Sequence, residues 1–102
     1  MDVLYPRCAA LDVHKKTVFA GRRIRLEGSP EQYEGRTFQT MTADILAMVD
    51  WLHEAAVTHV AMESTGEYWK PVYNLLEGEF ELLVVNAHHV KNVPGRKTDA
   101  KD

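Results

Sequence analysis

The run CAALDV at residues 8–13 decides the fold, because its nearly continuous apolar character is typical of a buried β-strand. A single acid, Asp12, interrupts this run. A carboxylate in a buried strand is costly unless another group pairs with it. A second apolar run, HVAME at residues 59–63, ends in Glu63. The two runs predict two strands that each carry one carboxylate near the carboxyl end.

Five strands and two helices are predicted along the chain from apolar patterns and turn residues. The predicted strands cover residues 7–13, 17–25, 36–40, 58–63 and 80–85, with a loop at 28–35. The first helix covers residues 43–55, where Ile45, Met48, Val49 and Leu52 recur at helical spacing. Thr42 is its predicted N-cap residue.

The second helix is predicted from a capping box, the S-x-x-E spacing of residues 64–67. Tyr68 is expected to face the core, and Trp69 either packs against the sheet, which is favoured, or stacks on a base. Pro71 falls in the first turn, where a missing N–H costs least. Gly78 is the predicted end of the helix.

The element order βββαβαβ predicts an α/β domain with a mixed five-stranded sheet and flanking helices. Right-handed crossovers place the strand at 58–63 beside the strand at 7–13. Asp12 and Glu63 are then expected near neighbouring carboxyl ends, where open α/β sheets place their ligands. This is the architecture of the ribonuclease H-like fold.

The chain of 102 residues has a formal net charge of −3, and its basic residues are unevenly distributed. Residues 41–85 carry one Lys or Arg against eight acids, whereas residues 86–102 carry four against two. Segregated basic charge suits a phosphate backbone, and chance clustering on solvated faces explains it equally well. No signal peptide or long apolar run appears, which predicts a cytoplasmic protein without membrane contact.

Four acids together indicate a metal-dependent phosphoryl-transfer site: Asp12, Glu63, Asp99 and Asp102. Hard divalent cations prefer oxygen ligands, and two such ions can clamp a phosphoryl transfer. Asp99 and Asp102 are three residues apart and would share a helix face. His14 either positions a water or substrate or is a solvated turn residue. Lys15 and Lys16 either contact phosphate or form a charged hairpin turn.

Three blocks of sequence resemble the DEDD transposases of one insertion-sequence group, the RuvC-like, bridge-RNA-guided recombinases. The blocks are ALDVHK at 10–15, AMESTGEYW at 61–69, and VNAHHVK at 85–91 leading into PGRKTDAKD at 94–102. The resemblance implies a RuvC-like fold and strand cleavage and transfer of DNA with Mg²⁺ or Mn²⁺. It also implies that Asp12, Glu63, Asp99 and Asp102 are the four catalytic metal ligands.

The resemblance also implies a longer parent protein, in which a helical connector and a domain with a nucleophilic serine follow the last acid. Neither Ser29 nor Ser64 matches that serine. We therefore expect residues 1–102 to be an N-terminal domain that is truncated in or before its last catalytic helix and is inactive when isolated. The expected partners are DNA and a guide RNA, with a homo-oligomeric full-length protein. Four basic residues are expected to contact the nucleic-acid backbone: Lys91, Arg96, Lys97 and Lys101.

Other functions stay open from the residues alone. A Holliday-junction nuclease needs the same acids without a serine domain. A non-catalytic nucleic-acid-binding or assembly fragment would retain the acids as an incomplete site. An actin-like ATPase shares the sheet order and is disfavoured, because His14-Lys15-Lys16 follows the first strand in place of a Gly/Ser/Thr-rich phosphate loop.

Overall fold

The computed structural model describes residues 5–86, which form five strands and two helices. Their order is β1 (Arg7–Val13), β2 (Thr17–Ile24), β3 (Gln32–Gln39), α1 (Thr42–Glu54), β4 (His59–Ser64), α2 (Trp69–Leu76) and β5 (Glu81–Asn86). The strands form one sheet in the order β3-β2-β1-β4-β5. β1 pairs antiparallel with β2 and parallel with β4, so the predicted α/β class and mixed five-stranded sheet are confirmed.

Both helices pack on the same face of the sheet. Along β1, Ala9, Leu11 and Val13 are buried whereas Ala10 and Asp12 between them are exposed, so alternate side chains meet the helices. Buried residues of α1 and α2 join those of the strands in one hydrophobic core. The opposite side of the sheet, which we call the open face, carries no helix within residues 5–86. No helix in that range is long and apolar enough to cross a membrane.

The apolar spacing predicted for α1 is confirmed, because Ile45, Met48, Val49 and Leu52 are all buried in the core. Burial of each such side chain contributes roughly 1.5–3 kcal/mol. The predicted N-cap is one residue too late. Met41 occupies that position without a side-chain hydrogen bond.

Helix α1 ends in a Schellman motif that uses an alanine where glycine is usual. The Ala56 N–H donates to the His53 carbonyl at 2.9 Å, and the Val57 N–H donates to the Leu52 carbonyl at 3.1 Å. Ala56 has a φ of 56°, in the left-handed region. A side chain in that region is strained by roughly 1–2 kcal/mol.

The predicted capping box before α2 is wrong. Ser64 is the last residue of β4 and its Oγ donates to the Thr65 carbonyl at 3.0 Å, so it cannot cap a helix that begins at Trp69. Tyr68 is 42% exposed and does not lie in the core as predicted. Trp69 packs against the core, as expected, and meets Tyr73 edge-on.

Strand β3 is longer than the sequence indicates, since residues 32–35 were expected to belong to a loop. Phe38 is the only buried residue of β3, so the strand lacks the alternation of apolar residues that would reveal it. Its backbone pairs with β2 over the whole length of both strands. Pairing with a neighbour therefore defines this strand, rather than burial of its own side chains.

Arg22 connects the edge of the sheet to α1 through Trp51. The guanidinium carbon of Arg22 lies 4.4 Å from the Trp51 ring centroid, and that of Arg36 lies 5.2 Å away. Arg22 also donates to the Trp51 carbonyl at 2.6 Å and to the Glu34 carboxylate at 2.9 Å. Charge-assisted bonds and cation–π contacts together hold β2, β3 and α1 in place.

Candidate metal centre

Asp12 and Glu63 lie directly opposite each other on neighbouring parallel strands. The β1–β4 register pairs their Cα atoms, and the hydrogen-bonded strands of a sheet are about 4.8 Å apart. Both side chains are exposed, whereas Leu11, Val13 and Met62 beside them in sequence are buried. The two carboxylates therefore share the open face, near the carboxyl ends of both strands.

Strand alternation explains how an acid fits into the apolar run of β1. Because side chains point to opposite faces in turn, Asp12 reaches solvent while its neighbours enter the core. The burial cost expected from sequence is avoided, since the Asp12 side chain is 56% exposed. Glu63 occupies the equivalent position between the buried Met62 and Ser64.

His14 contacts Asp12 from the turn that follows β1. The His14 Nε2 atom lies 3.1 Å from the Asp12 Oδ2 atom, and both side chains are about half exposed. The His14 N–H donates to the Thr17 carbonyl at 2.8 Å, which closes the turn between β1 and β2. The spacing of two residues is the sequence signal, because it directs both side chains to one face.

The side chains of the described residues suit a hard divalent cation only in part. Carboxylate oxygens are the ligands that Mg²⁺ prefers, and Mg²⁺ commonly uses one or two carboxylates together with water and substrate phosphate. Within residues 5–86, no group of three or more His, Cys, Asp or Glu side chains is arranged to hold a metal. Asp12 and Glu63 thus fit as two ligands of an ion that needs further donors.

Lys15 and Lys16 are exposed in the turn that follows Asp12. The Thr40 hydroxyl donates to the Lys15 carbonyl at 3.2 Å, which ties this turn to the end of β3. The turn that carries the two lysines therefore lies at the same end of the sheet as the two acids. The remaining predicted site residues lie outside the described residues: Lys91, Arg96, Lys97, Asp99, Lys101 and Asp102.

A groove on the open face joins the two acids to aromatic side chains. Asp12, Glu63, Phe19, Tyr33 and Val85 are among its lining residues. Sequence reasoning did not single out Phe19 or Tyr33, since only the strand register shows that they share a face with Asp12.

Comparison with known proteins gives one family match. The model of the DEDD transposases of the IS110 group, described as "Transposase", matches residues 9–102. Among curated proteins, none is significantly similar to this chain.

The solved structures to which this chain is similar include proteins of the Ppx/GppA family from Aquifex aeolicus. One structure of the family member has a TM-score of 0.47 at 15% identity, and it aligns with 81% of this chain. The type II variant of the phosphatase has a TM-score of 0.46 at 14% identity, again over 81% of this chain. The chain spans 36% of the length of either structure.

Proposed function

This chain belongs to the DEDD transposase family of insertion sequences, and we propose that it forms the metal-dependent catalytic domain of a DNA transposase with a ribonuclease H-like, RuvC-like fold. One observation carries the proposal: the β1–β4 register sets Asp12 against Glu63 on the open face. Two carboxylates on directly paired residues of neighbouring strands repel each other, and a cation bound by both removes that repulsion. An arrangement that is unfavourable without a metal supports a metal-binding role.

Asp12 and Glu63 would each offer a carboxylate oxygen to Mg²⁺ or Mn²⁺, and Asp99 and Asp102 would complete the ligand set. A bound ion of this kind activates water and stabilises charge on the leaving oxygen of a phosphodiester. The contact of His14 with Asp12 Oδ2 would restrict rotation of that carboxylate and leave its other oxygen for the ion.

The substrate is proposed to be DNA, cleaved and joined during transposition. Lys15 and Lys16 would contact its phosphates beside the acids, since exposed ammonium groups on this edge offset the negative charge of the backbone. Lys91, Arg96, Lys97 and Lys101 would extend that contact. A guide RNA, a homo-oligomeric parent and a following serine domain are part of the same proposal and are supported by family membership.

A titration of the chain with Mn²⁺ tests this function. Binding is monitored by calorimetry and by the loss of the electron paramagnetic resonance signal of the free ion. Saturable binding is expected in the wild type and is expected to be lost in Asp12→Asn. The matched control is Asp50→Asn, which removes another exposed acid, from α1, and should bind Mn²⁺ as the wild type does. Equal binding by Asp12→Asn and the wild type would contradict the proposal.

A further inference from the structure

Two aromatic rings lie across a pair of glycines on the open face. Gly21 and Gly35 are register partners in the β2–β3 pair. Phe19 extends from β2 over Gly35, and Tyr33 extends from β3 over Gly21. Each ring therefore crosses diagonally from its own strand onto the glycine of the neighbouring strand.

Glycine is required at both positions for the rings to lie in this way. A Cβ atom on Gly35 would be 2.6 Å from Phe19 Cζ, and one on Gly21 would be 2.9 Å from Tyr33 Cζ, too close in either case. Glycine within a strand costs roughly 0.5–1 kcal/mol relative to alanine. The two glycines therefore destabilise β2 and β3 slightly, and they allow both rings to lie over the sheet.

The outer sides of both rings face solvent. Phe19 is 44% exposed and Tyr33 is 62% exposed, which is unusual for large apolar side chains on a sheet. The Cα atom of Phe19 is paired with that of Asp12, and both rings line the groove that holds Asp12 and Glu63. A molecule stacked on the rings would lie beside the two acids.

We propose that Phe19 and Tyr33 form a stacking platform for the bases of an unpaired nucleic-acid strand. A planar base can stack on a ring that lies over the sheet, and such stacking is independent of sequence because every base has a π-face. Exposed aromatic side chains on a sheet bind single-stranded nucleic acid in the same way in RNA-recognition domains. The proposal rests on the proposed function, because the platform would bind the unpaired nucleotides beside the phosphate on which the two acids would act.

Binding of a fluorescein-labelled single-stranded oligothymidylate, measured by anisotropy in EDTA, tests the platform without involving a metal. Phe19→Leu and Tyr33→Leu keep an apolar cover on the glycines and remove the ring. Each is expected to weaken binding by roughly 5- to 150-fold, the effect of losing one stacked base. Tyr33→Phe keeps the ring and should bind like the wild type.

Gly35→Ala is the most specific variant, because it keeps the Phe19 side chain but forces its ring away from the sheet. It is expected to weaken oligothymidylate binding as Phe19→Leu does. The matched control is Leu46→Ala, which removes an exposed apolar side chain from α1 and should have no effect. Circular dichroism of each variant separates a lost platform from a lost fold, and the leucine variants serve if Gly35→Ala does not fold.

Unchanged binding in both leucine variants would overturn the proposal, as would tighter binding of a duplex than of the single strand. Self-association of the wild type that is lost in the leucine variants, without any binding of the single strand, would also overturn it and identify the rings as a protein contact. Failure of the platform leaves Mn²⁺ binding by Asp12 intact. Failure of the metal site leaves binding in EDTA intact, so the two proposals are separable.

Discussion

Replacing Glu63 with glutamine is expected to stabilise the protein without metal and to abolish most of its stabilisation by Mn²⁺. The variant keeps the size and hydrogen-bonding capacity of the side chain and removes its charge. In the wild type, two carboxylates face each other across one parallel strand pair. The charge that favours a bound cation is therefore the charge that destabilises the empty fold.

The spacing of the strands gives a scale for this effect, because the two acids are register partners. Two unit charges about 4.8 Å apart repel by about 0.9 kcal/mol in water and by about 3.5 kcal/mol at an effective dielectric constant of 20. Because the Asp12 side chain is 56% exposed, the value for water is the better guide. Glu63→Gln should thus raise the free energy of unfolding by roughly 1 kcal/mol, or the melting temperature by about 4–8 °C.

Thermal unfolding at low ionic strength, with EDTA and then with Mn²⁺, measures both effects. An ion at about 100 times its dissociation constant stabilises the folded state by about 2.7 kcal/mol. The wild type should therefore melt below Glu63→Gln in EDTA and above it in saturating Mn²⁺. High salt should reduce the difference in EDTA, because it screens exposed charges.

Glu81→Gln is the control, since it removes a charge from the other end of the same face, where Glu81 pairs in register with His59. It should leave the response to Mn²⁺ unchanged. If Glu63→Gln were no more stable than the wild type in EDTA, the two carboxylates would not interact. If Mn²⁺ raised both melting temperatures equally, Glu63 would not be a ligand.

Three further predictions concern the fold. Leu52→Ala should lower the free energy of unfolding by roughly 2–5 kcal/mol in urea titrations, because the side chain is fully buried and its loss leaves a cavity. Ala56→Gly should raise the melting temperature, since relief of the left-handed strain outweighs the added flexibility by about 0.5–1 kcal/mol. Arg22→Met should cost about 1.5–3 kcal/mol in guanidinium titrations, and Arg36→Met should cost less than about 1 kcal/mol, because only Arg22 also bonds the Trp51 carbonyl.

Elements with a strong apolar pattern could be predicted from the sequence. The bounds of β1 agree with the prediction, and those of α1 differ by one residue at each end. Both elements could be predicted because their apolar residues recur at the spacing of a buried strand or of an amphipathic helix. β3 could not be predicted in full, since its first residues bury nothing and are held by pairing alone. The capping box failed for a related reason: Ser64 extends a strand that β1 and β5 support on both sides.

The sequence predicts that two acids of the candidate site lie near each other, but it does not predict how they are arranged. Asp12 and Glu63 stand out as acids in apolar runs, and topology rules bring their strands together. Their direct opposition depends on a register that hydrogen bonds between distant segments define, and no local pattern encodes it. The aromatic rings beside the acids also depend on strand register and were not predicted, whereas the contact between His14 and Asp12 is local and has a signal in the spacing of the two residues.

The long crossover between β1 and β4 has a consequence for folding kinetics. Asp12 and Glu63 belong to strands that are separated in the chain by the whole of β2, β3 and α1. Pairs so distant in sequence form late, after the entropy of closing that loop has been overcome. A cation held between them is then absent from the early part of the folding reaction. Such a cation would slow unfolding while leaving the folding rate nearly unchanged.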